Sequence, residues 1–431
     1  MFRNLFILIF LCLSWLGLSQ DYESYVIGNT TDVDTQPNFG ICLMGGAQED
    51  DNAMQWFLNR ADGGDVVVIR TSGSDAYNNY FFNELGVTIN SVETLVINNE
   101  DGSIDPYVLD KVANAEAIWF AGGNQATYVN YFKDNAFMDL LNAHVNVKQA
   151  PIGGTSAGMA IMSEFYFDAI NGSVTSVDAL NDPFHNSVSI GQGSFLDFPF
   201  LENTITDTHY DNPDRKGRHI AFLSRIVDET GERAFGIAAE EFVGICIDQD
   251  GEASVFGEFP NFDDFAYFIQ VNCVEDFIPE QFSADTPLTW NLNNEAIKAY
   301  KIPGTATGNN SFDVYDWESG NGGSWEHWWV ENGNLETEIG TAIDCESLNT
   351  VDFENKKVHI YPNPFTHRLY VDFPDELIVT SVTIFDLNGR KYLFSKKVDS
   401  SILQVEDLQT GIYFLQLQTN QGVITEKLIK N

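Results

Sequence analysis

Positive charge is the scarcest property of this chain. Its 431 residues hold 22 Lys+Arg against 63 Asp+Glu, a formal charge of −41. A surface of that sign repels polyphosphates, which excludes nucleic acid as a partner and makes an anionic membrane surface a poor one. Metal-ligand patterns are also missing. The seven His are scattered, no HExxH occurs, and none of the five Cys stands in a CxxC or a Cys/His cluster, which argues against a structural zinc. Past the first twenty residues, no apolar run approaches the ~20 residues a membrane-spanning helix needs. What is present is a core-forming composition, 44% hydrophobic and 13% aromatic. That marks a globular chain of two or three domains rather than a disordered one.

The first nineteen residues stand apart from the fold. Arg3 precedes an apolar run from Leu5 to Leu18, and Gly17-Leu18-Ser19 offers small residues for a signal peptidase. Residues 1–19 read as a secretory signal cut before Gln20. Export leads to an oxidising compartment and removes Cys12, leaving Cys42, Cys246, Cys273 and Cys345, an even number. Cys42 and Cys246 sit in apolar strand-like runs and read as small core residues. Cys273 and Cys345 lie in polar, loop-rich sequence and are the better disulfide candidates.

The charge is distributed in two blocks. Residues 20–355 hold 55 acids and 12 bases, whereas residues 356–431 hold eight acids and nine bases. A step that sharp marks two independently shaped units: residues 20–345 and 356–431, with 346–355 as the linker. In the second unit, strand-like runs at 369–371, 382–385 and 412–415 alternate with turn signals, of which Asn388-Gly389 is the strongest hairpin dipeptide. Four motifs stand there in order: Tyr361-Pro362-Asn363-Pro364-Phe365, Asp386-Leu387-Asn388-Gly389-Arg390, Thr410-Gly411-Ile412-Tyr413 and Lys427-Leu428-Ile429-Lys430. Together they resemble the type IX secretion C-terminal sorting domain. The resemblance implies a β-sandwich-like tail that addresses the chain to the type IX secretion machinery, hence a secreted or cell-surface protein. A carbohydrate-binding β-module is the alternative for this unit.

Residues 37–165 repeat a strand-then-helix rhythm, with apolar runs at 41–44, 66–69, 94–97 and 117–120 and amphipathic stretches at 51–60 and 125–141. The pattern predicts an α/β fold, a doubly wound, mostly parallel sheet with helices on both faces and ligands at the strand carboxyl ends. Three glycine-bearing strand ends occur there: Gly45-Gly46, Gly122-Gly123-Asn124-Gln125 and Gly153-Gly154-Thr155-Ser156-Ala157-Gly158. The last contains G-x-S-x-G at a strand-to-helix junction, the layout of a nucleophile elbow, although a tight turn packing a helix on a sheet would use the same residues. A Ser nucleophile needs a base, and among the later His residues His209 stands out in Asp207-Thr208-His209-Tyr210. Arg215, Lys216, Arg218 and Arg225 follow it, four of the 12 bases between residues 20 and 355. The concentration suits an anionic substrate group or, equally, a surface salt-bridge face.

Four marks, in this order along the chain, resemble the cyanophycinase and aspartyl dipeptidase family of serine peptidases: Gly45-Gly46, Gly122-Gly123-Asn124-Gln125, Gly154-Thr155-Ser156-Ala157-Gly158, and Asp207-Thr208-His209 with its arginines. Gly236-Ile237-Ala238-Ala239-Glu240-Glu241 is similar to a fifth. The resemblance implies a triad of Ser156, His209 and Glu241, an oxyanion hole from Ala157 and the Gly122–Gly123 turn, and substrate contacts at Gln125, Asp207, Arg215 and Arg218. It calls for no metal and no organic cofactor. The family carries Gln after the aspartate and Arg four residues past the His, where this chain has Thr208 and Pro213, so one cationic contact is lost. Glu240 stands where the family has Asp. The poorly matched segment 259–310 is expected to rim the pocket. The reading is an exported serine peptidase acting on aspartyl-containing peptides, β-aspartyl-arginine polymers such as cyanophycin among them. Beside it stand an α-aspartyl dipeptidase and a non-catalytic surface binding protein on a hydrolase-like scaffold.

Overall fold

A computed structural model describes residues 20–193, 195–274, 276–345, 359–372, 379–386, 390–395, 402–405, 408–419 and 422–431. The signal segment 1–19, the linker 346–355 and the Asn388-Gly389 turn lie outside the described residues. Two compact units divide between Asp344 and Cys345.

The first unit is built on two sheets. The larger has ten strands, in spatial order Tyr22–Gly28, Ser91–Ile97, Asp65–Arg70, Ala117–Phe120, Ile152–Thr155, Ile41–Met44, Gly244–Ile247, Glu252–Phe256, Asn310–Asp313 and Gly320–Asn321. The five from Ser91–Ile97 to Ile41–Met44 pair in parallel. Covered on both faces, they read as continuous apolar runs: every residue of Ile41–Met44, Ala117–Phe120 and Ile152–Thr155 is buried. The remaining pairings are antiparallel.

The parallel strands are the ones expected from the apolar runs. One helix differs from its expected span. The stretch 125–141 breaks into Gln125–Phe132 and Ala136–Asn146, because Asp134 turns left-handed at φ 61° and Asn135 caps the second helix by accepting from the N–H groups of Phe137 and Met138. Helix Asp51–Asn59, capped by Asp50, buries Ala53, Met54, Phe57 and Leu58, with the Phe57 ring 5.2 Å from that of Trp119. Full burial of each large apolar side chain contributes about 1.5–3 kcal/mol.

The second sheet has eight strands: Asn334–Ile339, Ser324–Glu331, Ile297–Pro303, Phe265–Val271, Phe235–Ala239, Thr204–Asp207, Phe165–Phe167 and Ile190–Gln192. Only Phe235–Ala239, Thr204–Asp207 and Phe165–Phe167 pair in parallel. Helix Lys216–Thr230 follows Thr204–Asp207 and buries Ile220, Phe222, Leu223, Ile226 and Val227. Its end at Gly231, φ 71°, is a left-handed cap.

Cys42 and Cys246 face each other across paired strands with sulfurs 3.6 Å apart, both buried and free, whereas Cys273 and Cys345 are both disulfide-bonded.

The second unit is all β. Arg368–Asp372 pairs with His359–Tyr361 and Ile402–Gln404, and a four-stranded antiparallel sheet joins Lys391–Ser395, Val379–Asp386, Gly411–Thr419 and Gly422–Lys430. Phe365, Leu369, Ile384, Leu415, Leu417 and Leu428 form its core.

Candidate active site

Ser156 follows the last residue of Ile152–Thr155 and takes φ 53°, a left-handed conformation that a side-chain-bearing residue holds only under constraint. The turn closes through the Gly158 N–H on Thr155 O at 2.8 Å. A Cβ at Gly158 would lie 2.4 Å from Phe120 O, so glycine is what lets the turn pack on the neighbouring strand. The Ser156 hydroxyl is left partly exposed at the carboxyl end of the parallel sheet.

The second sheet contributes the other two side chains. His209 lies two residues past the end of Thr204–Asp207, with φ 46°, and Glu241 two past the end of Phe235–Ala239. Ser156 Oγ is 2.9 Å from His209 Nε2, and His209 Nδ1 is 2.7 Å from Glu241 Oε1. With Nδ1–H donating to the carboxylate, Nε2 is the acceptor for the serine hydroxyl.

One strand end holds all three arms. Ser156 N–H donates to Met44 O at 3.1 Å, His209 N–H to Gly45 O at 2.8 Å, and the N–H of Phe242, next to Glu241, to Gly46 O at 3.1 Å. The imidazole lies on Gly46, where φ is 115° and a Cβ would stand 2.4 Å from both Cε1 and Nε2. This explains the Gly45-Gly46 pair more fully than a ligand loop does.

A cavity of about 230 Å³ opens over Ser156, lined by Gln125, Ala157, Thr208, His209, Arg215 and Arg218 and also by Phe167, Ala169 and Ser173. The last three carry no signal in the sequence. Gln125 opens its helix behind the Asn124 cap. Gly122 borders the nucleophile, 3.6 Å from an ideal Cβ at that glycine to Ser156 Cβ. Among the described residues the N–H groups of Gly122, Gly123 and Ala157 have no backbone carbonyl partner.

Asp207, Arg215 and Arg218 do converge, but with unequal freedom. Arg218, 4% exposed, forks onto Asp207, with Nε on Oδ2 at 2.8 Å and Nη2 on Oδ1. Burial alone would raise the Asp207 carboxyl, but the guanidinium of Arg218 holds it below the usual carboxylate range. Two of the Arg218 nitrogens are therefore taken up by Asp207 in a pair that braces the His209 segment, while Nη1 lies 3.4 Å from Ser173 Oγ on the cavity wall. Arg215 is the more available cation. Its Nη1 donates to Thr208 O at 2.9 Å, and its Nε is buried with no partner among the described residues. Burial and the neighbouring Arg218 both lower its pKa, the condition in which an added carboxylate is most welcome. Lys216 points elsewhere, its ammonium 5.3 Å from the centre of the Tyr267 ring.

Residues 71–235 match the family model described as Peptidase family S51. Residues 359–431 match the Secretion system C-terminal sorting domain, which marks the chain as type IX cargo bound for the cell surface or beyond. A cyanophycinase from Trichormus variabilis is 25% identical over 177 residues, 41% of this chain and 53% of that protein. A cyanophycinase from Synechococcus elongatus is 23% identical over 227 residues, 50% of this chain and 65% of that protein. The chain thus spans about half the length of the first of these relatives. A solved structure of a putative peptidase E protein from Listeria monocytogenes EGD-e is 18% identical, covers 51% of this chain and 98% of its own, and superposes with a TM-score of 0.31. The S51 match includes Ser156 and His209 and ends before Glu241. The segment 259–310 does not rim the cavity over Ser156 as expected. Its strands Phe265–Val271 and Ile297–Pro303 join the second sheet, and Phe259, Phe262 and Ala306 border a different cavity.

Proposed function

We propose that the chain is an exported serine peptidase hydrolysing aspartyl-containing peptides, β-aspartyl-arginine polymers such as cyanophycin among them. The supporting observation is the relay Ser156 Oγ, His209 Nε2, His209 Nδ1, Glu241 Oε1, with steps of 2.9 and 2.7 Å, on a left-handed serine turn. In this reading His209 takes the Ser156 proton as Oγ attacks the substrate carbonyl, and Glu241 stabilises the imidazolium that forms. The carbonyl oxygen becomes an oxyanion facing the free N–H groups of Ala157 and the Gly122–Gly123 turn. Collapse expels the amine, which receives the proton from His209. Water, deprotonated by the same imidazole, then releases the acyl group. Arg215, carrying an unmatched guanidinium N–H in a cavity of about 230 Å³, is the group that holds the aspartyl carboxylate.

Covalent labelling by a fluorophosphonate, localised by peptide mass spectrometry, tests the reading. The label belongs on Ser156 and disappears in Ser156→Ala. A wild-type protein that takes no label and cleaves no aspartyl peptide would remove the enzyme reading in favour of a binding protein. Digestion of cyanophycin granules, as against cleavage of α-aspartyl dipeptides alone, separates the polymer-cutting enzyme from the dipeptidase.

A further inference from the structure

A pair of nucleophilic side chains that neither the triad nor the cavity uses lies inside the larger sheet. Cys42 and Cys246 are wholly buried in one cluster with Phe57, Leu58 and Trp119, on the face that helix Asp51–Asn59 covers. They stand directly opposite each other in the antiparallel ladder of Ile41–Met44 and Gly244–Ile247, 204 positions apart in sequence.

A neighbouring hydrogen bond fixes what kind of pair this is. The Gly45 N–H donates to Val243 O at 2.9 Å, which makes Gly45 and Val243 a hydrogen-bonded pair of that ladder. Such pairs alternate, so Cys42 and Cys246, three positions back, are a non-hydrogen-bonded pair. These are the closer pairs, with Cα atoms about 4.5 Å apart, inside the ~4.4–6.8 Å that a disulfide spans. The sulfurs already touch at 3.6 Å. Closing to a bond of about 2.05 Å would move each sulfur by less than ~1 Å. Packing alone would be served equally by Ala or Val at either position, whereas a bond requires cysteine at both. Oxidising chemistry also reaches this chain: Cys273 and Cys345 are disulfide-bonded, and the sorting domain sends the chain out of the cell.

We infer that Cys42 and Cys246 are closed into a cross-strand disulfide in the exported protein. One thiolate attacks a sulfur of an oxidant disulfide, whose bond breaks and releases one thiolate. The second cysteine then attacks the mixed disulfide and releases the other. The cysteines lose two electrons and two protons, and the oxidant takes them up as two thiols. Burial pushes the Cys246 thiol well up and shuts both sulfurs from solvent, so the exchange belongs to the folding chain, before helix Asp51–Asn59 covers the pair.

The tie falls where the candidate site is anchored. Beyond Cys42 the same strand runs into the Met44, Gly45 and Gly46 carbonyls that hold the N–H groups of Ser156, His209 and Phe242. Ahead of Cys246 stand Val243, bonded to Gly45, and Glu241, bonded to His209. A covalent link between the two strands holds that anchor in register from one side.

Peptide mapping of the full-length exported protein decides the bond. Alkylated in denaturant and digested without reductant, it should give the Cys42 and Cys246 peptides as one species, lighter than their sum by two hydrogens. Finding the two peptides separate and alkylated, or either joined to Cys273 or Cys345, overturns the inference. Urea unfolding decides what the bond holds, followed by tryptophan fluorescence, since every tryptophan past the signal segment precedes Asp344. Dithiothreitol should lower the wild-type midpoint by about 1 M more than that of Cys42→Ala/Cys246→Ala, which keeps the bonds of Cys273 and Cys345. Equal falls in the two proteins would refute the tie between the strands. Neither measurement depends on the chain being a peptidase, and the mapping uses the unmutated chain.

Discussion

Replacing Asp207 by asparagine should be the most damaging single change near the site that touches none of the reacting atoms. The side chains of Asp207 and Arg218 are 3% and 5% exposed, and their fork is the main partner each has. Asparagine keeps the shape but deletes the charge, leaving a guanidinium in a dry environment over the ring of Phe167, 5.1 Å from its centre. Breaking one half of such a buried pair costs about 3–5 kcal/mol. Arg218→Met should cost a similar amount by stranding the carboxylate. The double variant Asp207→Asn/Arg218→Met should fall short of the sum by up to ~3 kcal/mol, because it strands neither charge. Urea unfolding followed by tryptophan fluorescence, run on all four proteins at pH 7, closes the cycle. The sign with pH is also fixed. Arg218 depresses the folded-state pKa of Asp207, so the pair's contribution is complete above the unfolded value near ~3.9 and is lost only as pH falls through the lower folded value. The penalty of Asp207→Asn should therefore be flat from pH 5 to 8. A cost below ~1 kcal/mol, or additive single variants, would show that Arg218 is free for substrate and that the bracing role assigned to it is wrong.

Gly46→Ala drives a methyl to within 2.4 Å of the His209 ring at φ 115°; fluorophosphonate labelling should slow by about a hundredfold or more, since a 1 Å displacement is worth roughly that much, and an unchanged rate would separate the strand end from the triad geometry. Arg215→Ala should lower kcat/KM for aspartyl peptides by about ten- to a hundredfold while labelling by a small fluorophosphonate barely changes, and Lys216→Ala should be silent in both; the reverse pattern would return the cluster to an ordinary salt-bridge surface. Burial holds the His219 imidazole neutral with a pKa of about 4, so it favours the folded state fully above ~6.5 and progressively less as pH falls to 4. Stability curves of wild type and His219→Asn should therefore differ in slope by about one proton between those limits, ~1.4 kcal/mol per pH unit, and parallel curves would place the charge elsewhere.

The parallel half of the fold was legible because its strands are buried on both faces and so appear as unbroken apolar runs, Val66–Val68 and Ala117–Phe120 among them. The eight-stranded sheet was not, because its strands carry no such uniform signal: Lys298 is buried inside Ile297–Pro303, beside His327 and Glu295. Ser156 and His209 were legible through local turn chemistry and charge context. The mutual engagement of Asp207 and Arg218 was not, since two charges eleven residues apart declare no preference between each other and a ligand. Phe167, Ala169 and Ser173 reach the cavity only through the way strand Phe165–Phe167 and the loop after it lie beside Thr204–Asp207. Residues 125–141 misled as one helix because the apolar spacing continues through a break set by two residues, Asp134 and Asn135.

Three consecutive carbonyls, those of Met44, Gly45 and Gly46, tie down a serine from one sheet and a histidine and a glutamate segment from the other. Neither sheet alone owns a nucleophile with its base. The Ser156–His209–Glu241 arrangement exists only while the second sheet sits on that strand end, so a lesion that separates the sheets would undo it without touching any of the three side chains. If the proposed peptidase reading holds, activity would therefore report on whether both sheets have been assembled, not on the presence of Ser156 alone.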